Sequence, residues 1–457
     1  MKPSSLEKLL SQPFYLLFLL GTSLLLIQTV RLYQRRKKLL RFLSLFPGPP
    51  AHWLYGHQKF YPEKELALYD EMVKKYPCAV PIWIGPFTMF FNIYDPDYVK
   101  TLLSRKGKIN ENLGRDEWEK LTAQDPHLDL TECISLMTLD SIMKCAFSQQ
   151  GSVQTERIFD SYLEATFNLT KLILDRTCNI LHHNDLIYKF SSQSHLFKKY
   201  SQVTYQYTEK LIKKREESYN NELNYDATQK DNFRDFLDIL MSARAEDPKS
   251  FSEADLQAEV NTFMFAGHDT TSSAISWIFY CMAKYPEYQQ KCREEIREIL
   301  GDADSITWEH LNHMTYVTMC IKECLRLYPP AVIIGRLLSN PITFPDGHSL
   351  PAGVTVYVNI WALHRNPAVW EDPEVFNPLR FSKENSDKRH SHAFIPFSAG
   401  SRNCIGQQFA MLECKVALAL TLLHFELVPD PSRPPHLIRK IILKSKNGIH
   451  LLLKKLH

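Results

Sequence analysis

The ten cysteines, at 78, 133, 145, 178, 281, 292, 320, 324, 404 and 414, fall into no paired spacing. That argues against a disulfide framework and a zinc site, and it fits a reducing compartment. None of the seventeen histidines stands in metal-like spacing. The chain also lacks charge imbalance. Its net charge is +3, so neither nucleic acid nor a strongly acidic partner is implied. No internal repeat and no long low-complexity tract breaks it up. What remains is 457 residues, 44% of them apolar and 26 of them phenylalanine. That is core enough for one large enzyme domain or two to three average ones.

One run stands apart. Phe14 to Val30, FYLLFLLGTSLLLIQTV, holds 17 residues without a charge, at the lower limit for crossing a bilayer. Only Lys2, Glu7 and Lys8 carry charge before it, whereas Arg31, Arg35, Arg36, Lys37, Lys38 and Arg41 follow it. A cleaved signal peptide would carry its charges ahead of the apolar run. The pattern therefore predicts a retained signal anchor, with the bulk of the chain on the cytosolic side. On that side the sequon Asn168-Leu-Thr170 would carry no glycan. Phe46-Pro-Gly-Pro-Pro50 then predicts a stiff, extended hinge.

The chemistry centres on Phe397-Ser-Ala-Gly400-Ser-Arg402-Asn-Cys404-Ile-Gly406. The glycines allow a tight loop whose backbone can approach a flat ligand and turn N–H groups toward the sulfur. The apolar run Gln407 to His424 predicts a helix starting at once, whose N-terminus favours a thiolate. Taken alone, Cys404 would read as an ordinary buried cysteine. The spacing Phe-x-x-Gly-x-Arg-x-Cys-x-Gly reverses this, because it resembles the haem-binding signature of the cytochrome P450 superfamily, the haem-thiolate monooxygenases.

Other elements read as follows. Ala79 to Asn92, broken by Gly85-Pro86, predicts a hairpin, and Asp95 to Leu103 a helix with Pro96 in its first turn. Ile134 to Phe147 shows the apolar face of a core helix. Residues 153–213 predict helix, and Lys213 to Asp231 a solvated helix end and loop. Ser252-Glu-Ala-Asp255 resembles a capping box ahead of periodicity from Leu256 to Ala283, about 42 Å of helix closed by Pro286. At its centre Ala266-Gly-His-Asp-Thr-Thr271 gathers poor helix formers. One reading is a helix with back-bonding Thr; the other is an opened turn beside a cofactor. Pro286 to Leu300, stopped by Gly301, and Met314 to Leu327 predict two more helices. Ile342 to Val358 predicts strands turning at Asp346-Gly347. Ile441-Ile442-Leu443 and Ile449 to Leu453 predict a hairpin turning at Asn447-Gly448.

The resemblance covers nearly the whole chain and implies a mainly α fold with a small β region, preceded by one N-terminal transmembrane helix. Residues 1–45 would be anchor and basic linker, and 46–457 the haem-thiolate domain. Glu259-Val-Asn-Thr-Phe-Met-Phe-Ala-Gly-His-Asp-Thr-Thr271 resembles the helix signature of family 4, the fatty-acid ω-hydroxylase branch. Asn261 replaces its usual Asp. Ala266 stands where many members carry a Glu esterified to haem, so haem b would be held non-covalently. By the same likeness Cys404 would ligate iron, with Phe397, Gly400 and Gly406 shaping its loop. Thr270 would hydrogen-bond dioxygen and water, and Asp269 would feed protons. Arg336 and Arg402 would bind propionates. Glu323, Arg326 and Arg380 would form a structural triad. His364 reads as a packing or propionate-side residue, and the C-terminal hairpin would reach the substrate pocket.

The implied reaction inserts oxygen into a C–H bond of a lipophilic substrate, a fatty acid by analogy. Electrons would come from NADPH through a flavoprotein reductase, on the cytosolic face of the endoplasmic reticulum. One departure stands out. Near 106–116 the family's substrate-lining loop and its Trp-x-x-x-Arg helix, which holds a propionate, are missing, and Trp118 lacks the arginine four residues on. Two alternatives therefore stay open: a non-catalytic, haem-deficient membrane protein, and a haem-thiolate isomerase or peroxygenase.

Overall fold

The computed structural model describes residues 13–43, 46–52, 55–57, 65–85, 88–103, 127–149, 160–225, 235–301, 303 and 305–456. Helix α1 (Pro13–Leu43) has no acid in its first turn, and its 17–42 stretch is apolar enough to cross a membrane, none of it buried. Residues 46–50 carry no regular secondary structure, with a bend at Phe46. Helix α2 (Glu65–Lys75) leads to β1 (Ala79–Ile84) and β2 (Thr88–Ile93). These pair as the expected hairpin, with Gly85 at φ +65°. The first five residues of β1 and the last three of β2 are buried in succession. Such strands are covered on both faces. Helix α3 (Pro96–Leu103) follows with proline in its first turn.

Strand β3 (His127–Asp129) runs into α4 (Leu130–Phe147). Helices α5 (Asp160–Cys178), α6 (Asp185–Lys189) and α7 (Ser192–Tyr225) come next. Helix α7 extends twelve residues beyond Lys213, where a helix end was expected; residues 226–231 of that expected loop lie outside the described residues. Helix α8 (Phe236–Glu246) precedes α9 (Glu253–Lys284), which has the Ser252–Asp255 capping box. Helices α10 (Pro286–Leu300), α11 (Trp308–His313) and α12 (Thr315–Leu327) complete this half.

Helix α9 is the spine. Its second half is buried almost all round, from Thr271 to Ala283, and Trp277 stacks on Tyr328 with ring centres 4.6 Å apart. Its middle presses on α4 so closely that a Cβ at Gly267 would come within 2.8 Å of Ile142 Cγ1. Thr138 on α4 donates to the His268 carbonyl at 3.0 Å. Gly267→Ala should therefore cost about 1–3 kcal/mol of stability, read as a lowered thermal midpoint. Adding Ile142→Val should recover part of it, a coupling expected only of residues in contact.

The second half is mixed. Strands β4 (Ile333–Leu337), β5 (Ile342–Thr343), β6 (Ser349–Leu350) and β7 (Thr355–Asn359) precede α13 (Ile360–Leu363) and α14 (Lys383–Lys388). Helix α15 (Gln407–His424) is followed by β8 (Phe425–Pro429), β9 (Leu437–Arg439), β10 (Leu443–Ser445) and β11 (His450–Lys455). The largest sheet has the order β1-β2-β7-β4, parallel only between β2 and β7. Strands β5 and β6 pair around Gly347, as expected.

The C-terminal hairpin does not form as expected. Strand β10 pairs with β9, while β11 lies between β3 and β8. Asn447 accepts from His436 N–H at 2.8 Å and donates to the Pro434 carbonyl at 2.9 Å, fastening the turn to the β9 side. Gly448, at φ +79°, passes so close to Asp129 that a Cβ would strike its carboxylate. A glycine turn is present, but it redirects the chain between two sheets.

Candidate functional site

The loop before α15 is held from both ends. Ile395 N–H donates to His364 Nε2 at 3.0 Å, and Cys404 N–H donates to the Phe397 carbonyl at 2.8 Å. His364 is fully buried, and burial together with the nearby Arg326 and Arg365 holds its pKa well below the usual histidine range. It is a neutral packing residue. Ser398 and Gly400 take positive φ, 64° and 76°, so the turn before the cysteine is left-handed twice. Gly406 sits at the N-cap of α15 with ordinary φ, and a Cβ there would meet Cys404 Sγ only at 4.0 Å, an ordinary contact.

Burial pushes the Cys404 thiol up, and the Gly406 backbone hydrogen bond acts against that. The backbone at the helix start thus acts in the expected direction, toward the thiolate. Desolvation is the larger of the two effects in the protein by itself.

A cavity of about 680 Å³ opens beside Cys404. Its walls come from α4, α8, α9, the Pro330–Ile334 segment and the cysteine loop, and are mostly apolar. It brings together Thr270, Phe397, Arg402, Cys404 and Gly406 of the expected residues. Ala266 is on its wall too, with no carboxylate to offer. Ile239 and Ile405 line it while 55% and 53% exposed, so one side of the cavity is open.

Asp269 is not on the wall. Its Oδ1 pairs with Lys444 Nζ at 2.5 Å, both side chains being largely buried. Helix α9 also runs unbroken through residues 266–271, and Thr270 Oγ1 donates to the Ala266 carbonyl at 2.7 Å. The back-bonded helix is realised and the opened turn is not.

Arg336 and Arg402 lie near enough to repel, and burial with that repulsion lowers the pKa of Arg336. Neither pairs with a carboxylate among the described residues. Two arginines without acids, an apolar slot and a thiol on a glycine loop fit a flat, doubly carboxylated, iron-bearing group. Gly400 shapes the loop without lining the cavity.

The triad is formed. Arg326 meets both oxygens of Glu323 at 2.8 Å, with both side chains fully buried. Arg380 Nε stands 3.4 Å from Glu323 and Nη2 donates to the Asp372 carbonyl at 2.9 Å. The 3.4 Å contact is an ion pair without good hydrogen-bond alignment.

Two residues were missed. Lys444 gives no local signal, being 175 positions from Asp269. Glu413 did leave one, a lone acid in the apolar run of α15. It is buried, with neither oxygen hydrogen-bonded; the nearby Ser141 hydroxyl does little to offset desolvation, which pushes its pKa to about 8. The folded state therefore keeps this proton while the unfolded chain releases it near 4.5. Stability from this group is full below pH 4.5 and falls until about pH 8. Glu413→Gln should flatten that decline, and the thermal midpoint should rise most near pH 8.

The family model for cytochrome P450 matches residues 114–452. The chain is 59% identical to cytochrome P450 4Z1 of Homo sapiens over 504 aligned positions, covering all of both chains. It is 50% identical to cytochrome P450 4X1 of Mus musculus, covering all of this chain and 99% of that one. It is 46% identical to cytochrome P450 4A7 of Oryctolagus cuniculus, covering 96% of each. The first alignment spans 504 positions, 47 more than the 457 residues present, so that relative holds residues this chain lacks. The expected interruption near 106–116 and Trp118 lie outside the described residues.

Proposed function

The chain belongs to the cytochrome P450 family, the haem-thiolate monooxygenases, and from that premise we propose that it hydroxylates a fatty acid or similar amphiphile. The observation carrying the proposal is the single cavity that has Cys404 on one wall and Thr270 on another. Family membership implies haem iron with a thiolate ligand and electrons from a redox partner. On this reading that partner is an NADPH-dependent flavoprotein reductase, and haem b supplies the activation of dioxygen.

The rest falls to this chain's side chains. Cys404 is the ligand, with Arg336 and Arg402 holding propionates. Ala266 leaves the cofactor non-covalent. Thr270 keeps its hydroxyl on the cavity wall, where it passes a proton or orients water. Asp269 donates only after turning from Lys444 toward the cavity. The apolar walls take the hydrocarbon chain. Residues 1–45 anchor the domain 46–457 to the endoplasmic reticulum membrane on its cytosolic side.

A second reading, a chain that does not retain haem, draws on the open side at Ile239 and Ile405 and on the positions the chain lacks. The reduced, carbon-monoxide-bound spectrum of the full chain separates the two. A strongly red-shifted Soret band is expected. No haem, or a band typical of a neutral ligand, would sink the hydroxylase reading. Product formation that requires NADPH and reductase distinguishes it from an isomerase or peroxygenase.

A further inference from the structure

The cavity beside Cys404 has one acid among the residues that line it, Asp235. Asp235 is the N-cap of α8. Its Oδ1 accepts from Asp238 N–H at 2.8 Å, and Asp238 Oδ2 accepts from Asp235 N–H at 3.2 Å. That accounts for one oxygen. Asp235 is 2% exposed, and its Oδ2 is buried with no hydrogen-bond partner among the described residues. The nearby guanidinium of Arg215 is committed to Asp238, whose two oxygens it meets at 2.8 and 2.9 Å. Asp238 is as deeply buried as Asp235, so two carboxylates stand out of water beside an arginine that grips only the second. Burial raises the pKa of Asp235. The Ser148 hydroxyl and the Asp238 N–H act against that, the Asp238 charge adds to it, and Arg215 opposes it. A carboxyl so placed gains from a cation brought up to its free oxygen.

Aromatic rings stand on the same walls. Phe236, the next residue, stacks on Phe263 of α9 with ring centres 3.7 Å apart. Phe147 meets Phe236 edge-on at 6.3 Å. Phe236 and Phe263 both line the cavity with Asp235. An aromatic ring attracts a cation through its quadrupole, and rings of this kind are what proteins use to hold quaternary ammonium groups. Ile239, one turn along α8, lines the cavity while 55% exposed, so the acid lies close to the open side.

We propose that Asp235 and the Phe236–Phe263 pair form a subsite for an alkylammonium head group, a quaternary ammonium on an apolar tail. The cation sits against Asp235 Oδ2 and the rings, and the tail lies along the apolar walls. A carboxylate would be repelled from the same place, so this subsite takes a different class of head group from a fatty acid's. It goes beyond the hydroxylase reading and does not rest on it, since it needs neither Cys404 nor haem.

The test is equilibrium dialysis of tritiated ligands against the full-length protein in dodecyl maltoside, a detergent without an ammonium group. The ligands are decyltrimethylammonium and 2,2-dimethyldodecane, its uncharged carbon isostere. Wild type should bind the ammonium about tenfold tighter than the isostere, the scale of one desolvated cation–aromatic contact. Asp235→Asn keeps a side chain that caps a helix as well as aspartate does. It should remove the preference and leave isostere binding within about twofold. If both affinities collapse in Asp235→Asn, Phe263→Leu decides. A selective loss of about threefold for the ammonium supports the proposal, and an unchanged preference overturns it. Equal binding of the two ligands by wild type would overturn it, as would a preference that survives Asp235→Asn. Decylphosphocholine separates the two sources of such a group. Asp235-dependent binding at least as tight as that of decyltrimethylammonium assigns the subsite to a phospholipid head group; weaker binding assigns it to a free alkylammonium.

Discussion

Cys404→Ser will yield a folded protein whose reduced, carbon-monoxide-bound spectrum has lost the red-shifted Soret band. Hydroxylation should fall by about a thousandfold or more, roughly 4 kcal/mol of barrier at 1.36 kcal/mol per decade. The fold should survive, because the loop is fastened by the backbone, Cys404 N–H to the Phe397 carbonyl, and not by the side chain. Serine is nearly the same size but cannot become an anionic ligand near neutral pH, so it withdraws the electron density that a thiolate pushes toward oxygen. The control is built into the cavity, whose wall holds two further cysteines, Cys145 and Cys414. Cys414 is buried and its thiol is pushed far up by desolvation, then by Glu413. Such a thiol is inert. Cys414→Ser and Cys145→Ser should therefore keep the band. Loss of the band in either of these, with retention in Cys404→Ser, would move the ligand off the glycine loop and overturn the assignment.

What could be read before folding was whatever a short stretch decides for itself. The cysteine loop was legible because its glycines and cysteine fall within ten residues, and Gly400 does take the positive φ that glycine permits. The spine helix was legible from Ser252 and Asp255 at one end and Pro286 at the other. What escaped was settled by partners far apart in the chain. Asn447-Gly448 is a genuine turn, but the sequence around it does not say that Asn447 will bond to His436 and Pro434. Asp269 was expected to feed protons from the likeness of its helix motif, and its neighbours Ala266 and Thr270 do line the cavity. Its own side chain points off that face, to a lysine on a strand 175 residues later. The clustered poor helix formers at 266–271 suggested a broken turn. Packing of Gly267 on Ile142 and the bond from Thr138 to the His268 carbonyl hold the helix together instead.

Glu323→Gln should be the most damaging substitution away from the cavity. Glu323 and Arg326 are completely buried, so removing the carboxylate charge leaves a guanidinium in low dielectric without its counter-ion. The expected cost is about 3–5 kcal/mol, against a total stability on the order of 5–15 kcal/mol for a typical domain. The damage should spread. Arg326 also donates to the carbonyls of His364, Pro373 and Val375, and Glu323 accepts from Asn377 N–H. The pair is thus the pin between α12 and the whole 364–377 segment. Arg380→Ala should cost less, because its side chain is 13% exposed and its ion pair is poorly aligned. Arg326→Lys should behave almost like a deletion, since one ammonium cannot reach acceptors that a planar fork spans. The decisive comparison is the double variant Glu323→Gln with Arg326→Met, followed by thermal unfolding. Removing both charges should recover part of the loss from Glu323→Gln alone, the sign expected if the penalty is an uncompensated charge. Additive losses would mean that the segment depends on the guanidinium's backbone bonds, and the ion pair would then be incidental to holding the core.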